Sequence, residues 1–149
     1  MVKKIIAGGA ALSVLGIGLV ATIAGAAPTT KTFVVDAIGA NVGGGMGLKT
    51  GGYAKGTVSV NTGTNEVCYR ITDKGLGLIG AAHIHAGKKG VNGGIVVNLN
   101  VKAFNSMSMN PACVKVTPAV AKSLYKFPAA YYLNVHTSAF PNGAVRAQL

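Results

Sequence analysis

Tyr131-Tyr-Leu-Asn-Val-His-Thr-Ser-Ala-Phe-Pro-Asn-Gly-Ala-Val-Arg-Ala-Gln-Leu149 closes the chain and decides its class. Tyr131, Leu133 and Val135 alternate with Tyr132, Asn134 and His136, and beyond Pro141-Asn-Gly143 the residues Val145, Ala147 and Leu149 alternate with Arg146 and Gln148. A period of two places alternate side chains on opposite faces of a strand, and a turn signal between two such runs pairs them antiparallel. The same reading predicts strands at Thr32 to Ile38, Thr57 to Val60, Glu66 to Thr72, Ala81 to Ala86 and Ile95 to Val101, besides Tyr131 to Thr137 and Ala144 to Leu149. Ile95, Val97, Leu99 and Val101 form a further clean core face on this pattern.

Gly, Asn and Pro clusters punctuate these runs: Gly43-Gly-Gly-Met-Gly47, Asn61-Thr-Gly63, Gly87-Lys-Lys-Gly90 and Asn92-Gly-Gly94. The one helical signal is Pro118 to Lys126, with Thr117 as N-cap, Pro118 in the first turn and Pro128 past its end. Many short strands and one connecting helix imply an all-β sandwich or barrel. At 149 residues the chain accommodates one such domain.

The N-terminus reads differently. Met1-Val-Lys-Lys4 is basic, Ile5 to Val20 is almost unbroken apolar sequence, and Ala24-Gly-Ala26 supplies the small residues of a cleavage site. This is the pattern of a secretory signal peptide, residues 1–26, leaving a domain over residues 27–149. The alternative is an uncleaved anchor over Ile5 to Ala27, the one route by which the chain would meet a membrane. Without Lys3 and Lys4, 12 basic side chains stand against three acidic ones, a formal +9. Export exposes Cys68 and Cys113, the only two cysteines, to an oxidising compartment, where one disulfide is the expected state and a cysteine metal ligand the alternative.

Three carboxylates, Asp36, Glu66 and Asp73, leave little material for paired-carboxylate hydrolysis or two-metal sites. There is no Gly-x-Ser-x-Gly elbow, and Gly43 to Gly47 lacks the lysine of a phosphate loop. Scattered lysines and few aromatics argue against nucleic acid as a partner. A diffuse positive charge instead suits an anionic envelope polymer, or serves only to keep the surface soluble.

The histidines carry the remaining chemistry. In Ala81-Ala-His-Ile-His85, Ile84 belongs to the core, so His83 and His85 point away from it together, as His136 does on its own strand. Ala82-His-Ile-His-Ala-Gly87, Gly90-Val-Asn-Gly-Gly-Ile-Val-Val-Asn-Leu99 and the closing run from Ala130 together resemble the chordin-type (CHRD) domain family, from about Lys31 to the C-terminus. That resemblance implies an all-β extracellular domain of secreted proteins and no agreed catalytic activity. The two histidine strands also resemble those bearing the copper ligands of copper/zinc superoxide dismutases, an antiparallel Greek-key β-sandwich. On that likeness His83, His85 and His136 correspond to copper ligands and Arg146 to an arginine near the metal. No histidine remains for a second metal.

Two imidazoles at i and i+2 on one strand face, joined by a third from a neighbour, suit copper, with zinc as the second choice. Met107 and Met109 are the soft side chains available as an auxiliary ligand, or else cover an apolar edge. Hydrogen-bonded structural histidines, or incidental surface ones, are the competing accounts. Three functions follow: a secreted or cell-envelope binding module with one copper, a superoxide- or copper-redox enzyme, and a metal-free structural or adhesive domain. The expectation is the first, with an unidentified protein or anionic polymer as partner.

Overall fold

Residues 29–105 and 111–149 are described by a computed structural model; the signal segment, Met107 and Met109 lie outside the described residues. The strands are β1 (Thr30–Ile38), β2 (Tyr53–Asn61), β3 (Glu66–Lys74), β4 (Ile79–Ala86), β5 (Ile95–Leu99), β6 (Ala112–Lys115), β7 (Tyr131–Thr137) and β8 (Phe140–Gln148), with helix α1 (Pro118–Lys126). They pair antiparallel in the order β5-β4-β7-β8-β1-β2-β3-β6. Non-consecutive neighbours, β4 with β7, β8 with β1 and β3 with β6, require the chain to cross over.

One residue pair, Ile38 with Arg146, joins β1 to β8. The sheet is therefore two four-stranded halves hinged along that seam, the all-β sandwich or barrel implied by the alternation. Their inner faces share one core, in which Val35, Val58, Val67 and Ile71 from one half meet Ile84, Leu133, Val135 and Val145 from the other. The buried Tyr69 hydroxyl accepts the Asn100 backbone N–H at 2.7 Å, so the deepest phenol leaves no unmatched group.

Several boundaries differ from the sequence reading, each for a local reason. β5 ends at Leu99 because the Asn100 side chain accepts from the Lys102 N–H and turns the chain into a short 3-10 segment, Val101–Ala103. Ile95 is half exposed: a register shift sets Ile95 opposite His85 while Val97 stays opposite Ile84, so the expected core face loses Ile95, keeps Val97 and Leu99 buried, and has Val101 packed at its edge. β8 begins at Phe140, so Pro141-Asn-Gly143, read as a turn, lies within the strand. There Gly143 has φ +124°, and a Cβ would collide with the Asn134 amide, so glycine is required at this irregular point.

β6 had no counterpart among the expected strands. It is four residues long and is pinned to β3 by the Cys68–Cys113 disulfide, the two cysteines facing each other in the ladder, and by the Glu66–Lys115 ion pair at 3.1 Å. The expected disulfide is thus formed, a state that fits an oxidising compartment.

α1 matches its sequence reading end to end. Thr117 Oγ1 accepts from the Val120 N–H at 3.3 Å, and Ala121 and Leu124 are buried in the core. Thr117→Ala removes that cap and is expected to cost about 1 kcal/mol of stability, read as a lower midpoint in a urea titration with an unchanged slope.

Candidate metal centre

The histidines sit on the outer face of β4 and β7. Antiparallel register sets His83 opposite Asn134, His85 opposite Tyr132 and His136 opposite Ala81, so His136 lies one diagonal step from His83. The outer face was expected to lead away from the core, and it does. It is nonetheless covered: His85 is 8% exposed, Asn134 5%, and Tyr132 and Arg146 2% each.

The cover is the loop from Gly87 to Gly94, which folds back over the outer face. Gly93 approaches Ala86 so closely that a Cβ would fall 1.7 Å from the Ala86 carbonyl oxygen, so glycine is required here by contact with backbone. Arg146 clamps the same loop from β8. Its Nη2 donates to the carbonyls of Lys88 at 2.9 Å and Val91 at 3.0 Å, and its Nη1 donates to Asn92 Oδ1 at 3.2 Å. The guanidinium lies 3.3 Å from the centroid of the Tyr132 ring, and that ring stacks on His85 with centroids 5.0 Å apart and planes 12° from parallel.

Within this cover the three imidazoles converge. One ligating nitrogen from each lies within 4.8 Å of the others. His85 Nδ1 is 2.9 Å from the Gly93 carbonyl and His136 Nδ1 is 2.9 Å from the Pro141 carbonyl. A carbonyl only accepts, so both Nδ1 atoms carry protons when the rings are neutral, and the lone pairs lie on Nε2. His136 Nε2 is 3.2 Å from His83 Nδ1, a hydrogen bond in which His83 donates. His85 Nε2 is buried with no partner among the described residues.

Hydrogen bonding satisfies the His83–His136 pair and leaves His85 Nε2 without a partner, as it leaves the buried Asn134 Oδ1, Thr137 Oγ1 and Gln148 Oε1 among the described residues. A cation drawn to all three imidazoles leaves none of their ligating nitrogens orphaned. Burial holds the His83 imidazole below the ordinary histidine pKa, with His136 and His85 adding in the same direction. His85 is lowered too, by burial first and then by the nearby His136 and Arg146, against the opposing Gly93 carbonyl. Both rings are therefore held in the neutral form a metal requires.

Arg146 was singled out from sequence as a residue near the metal. It lies on the strand beside β7, and three of its N–H donors are committed to the covering loop. The sequence reading missed Tyr132, Gly93 and Pro141 as partners of the histidines. Tyr132 and Pro141 fall in the closing run quoted above, but two of the three contacts use backbone carbonyls, which no side-chain pattern announces.

Comparison with known families matches the CHRD domain to residues 33–149. No curated protein and no solved structure is matched.

Proposed function

This chain belongs to the CHRD domain family, and from that premise we propose that it is an extracytoplasmic binding module holding one copper ion between His83, His85 and His136. The observation that carries the metal reading is His85 Nε2, buried and partnerless among two other imidazoles. The donor set favours copper. It is three imidazoles, joined by no carboxylate or thiolate of the described residues, and divalent copper outranks zinc at such nitrogen sites. Gly93 and Pro141 serve as outer partners that fix the tautomers and ring orientations. The signal-peptide pattern of residues 1–26 and the formed disulfide support export. The formal +9 of the exported part supports an anionic envelope polymer as its surface partner.

Purified, disulfide-intact protein titrated with Cu(II) should take up one equivalent, with zinc binding more weakly, as read by calorimetry and elemental analysis. Affinity should fall as the pH drops below about 6, because protonated imidazole cannot ligate. The metal-free chain should also weaken in that range. With His83 and His85 lowered in the folded state, the unfolded chain takes up protons first as pH falls below 6.5, so stability present above that value is lost toward the lower folded-state pKa. Stoichiometric uptake by a triple His→Ala chain would return the histidines to a structural role.

A further inference from the structure

A pocket lies on the β8 side of the covering loop, and none of the three histidines lines it. It has a volume of about 140 Å³ and is lined by Asn41, Lys89, Arg146 and Gln148, with no apolar side chain. Arg146 is 2% exposed, yet no carboxylate neutralises it. The three acidic side chains of the chain are engaged elsewhere: Asp36 with Lys55 at 3.3 Å, Glu66 with Lys115 at 3.1 Å, and Asp73 accepting from Asn105 Nδ2 at 2.7 Å. Two of its five N–H donors, the Nε–H and one Nη1–H, have no acceptor among the described residues.

A buried guanidinium held only by carbonyls and a ring face is an uncompensated charge, a costly arrangement that proteins ordinarily relieve with an anion. Lys89, exposed on the covering loop, lines the same pocket and brings a second cationic side chain to it. The volume suits that anion. At about 30 Å³ per water the pocket holds a few waters' worth of matter, which is the scale of a small oxyanion and far below that of a nucleotide. The Asn41 amide donates to the Arg146 carbonyl at 3.1 Å and so ties the pocket wall to the β1–β8 seam, giving the guanidinium a fixed base.

We propose that this pocket binds a small oxyanion, of the phosphate or carboxylate class, on the free N–H groups of Arg146 and the ammonium of Lys89. Arg146 thereby faces two ways, fixing the loop through its occupied donors and receiving the anion through the others.

The test uses the full exported chain stripped of metal by a chelator, so that its outcome is independent of the histidines. Inorganic phosphate, sulfate and acetate are each titrated at constant ionic strength set by chloride, with heats and backbone amide NMR shifts as readouts. One saturable equivalent is expected, with shifts centred on Asn41, Lys89, Arg146 and Gln148, and Lys89→Ala should weaken it about tenfold while leaving the fold unchanged. Tighter binding of phosphate and sulfate than of acetate assigns a tetrahedral ligand; the reverse assigns a carboxylate such as an acidic sugar. If none of the three saturates, or if Lys89→Ala binds as the parent does, the pocket is not an anion site.

Discussion

His85→Ala should lower copper affinity by more than about 100-fold, since even changes to groups that merely orient a ligand cost 10- to 100-fold and this one removes a ligand outright. The expectation is sharper here than for an exposed histidine. His85 is the least exposed of the three, its Nδ1 is engaged by the Gly93 carbonyl, and its Nε2 has no other use in the structure. His83→Ala and His136→Ala should also lose affinity severely, and in the metal-free protein they break the 3.2 Å bond between the two rings. Lys88→Ala, whose side chain leaves the covering loop toward solvent, should change nothing. Calorimetric titration of the four variants decides the matter. If His85→Ala binds copper within a few-fold of the parent, the ion sits elsewhere and the histidines are a hydrogen-bonded cluster. Thermal unfolding of the metal-free variants keeps the two accounts apart, since loss of the fold would show there before any copper is added.

What the sequence made legible was the part governed by side-chain period. His83 and His85 had to share a face because they lie two apart on a strand, and Leu133, Val135 and Val145 had to be core because they alternate with polar residues. The helix was legible to the residue, since Thr117, Pro118 and Pro128 each act through local chemistry. Long-range register was not legible. Nothing in Ala81 to Ala86 says that β4 pairs with β7, and it is that pairing which brings His136 to His83. The shift that turns Ile95 outward depends on where β5 docks, so the alternation ran one residue too far. β6 was missed because four residues are too short for a period, and its place is set by a disulfide partner 45 residues away. The loop from Gly87 to Gly94 carries turn residues and was read as a turn. Its second role, covering the histidines, comes from a carbonyl and a close backbone approach that composition does not encode.

Arg146→Met should destabilise the protein by about 2–4 kcal/mol and weaken copper binding about 10- to 100-fold, although Arg146 touches no histidine in the hydrogen-bond network. Methionine keeps much of the length and can rest its sulfur on the Tyr132 ring, so the change removes donors more than volume. The Lys88 carbonyl retains the Val91 N–H at 2.9 Å, but the Val91 carbonyl and the Asn92 side chain lose the guanidinium. Hydrogen bonds to a charged group contribute about 1.5–3 kcal/mol each, and relief of the buried charge offsets part of that loss, which sets the range. The released segment carries Gly93, whose carbonyl orients His85, so the loosened loop reaches the proposed metal site through one backbone oxygen. Hydrogen exchange should report the order of events: protection falls first at the amides of Val91 and Gly93, while Val135 and Val145 in the core exchange only with global unfolding. Arg146→Lys should not restore either property, because an ammonium cannot span two carbonyls and an amide as the planar fork does. Copper affinity unchanged in Arg146→Met would mean that Tyr132, which accepts the Gly93 N–H at 3.2 Å, holds the loop over the histidines without help from β8.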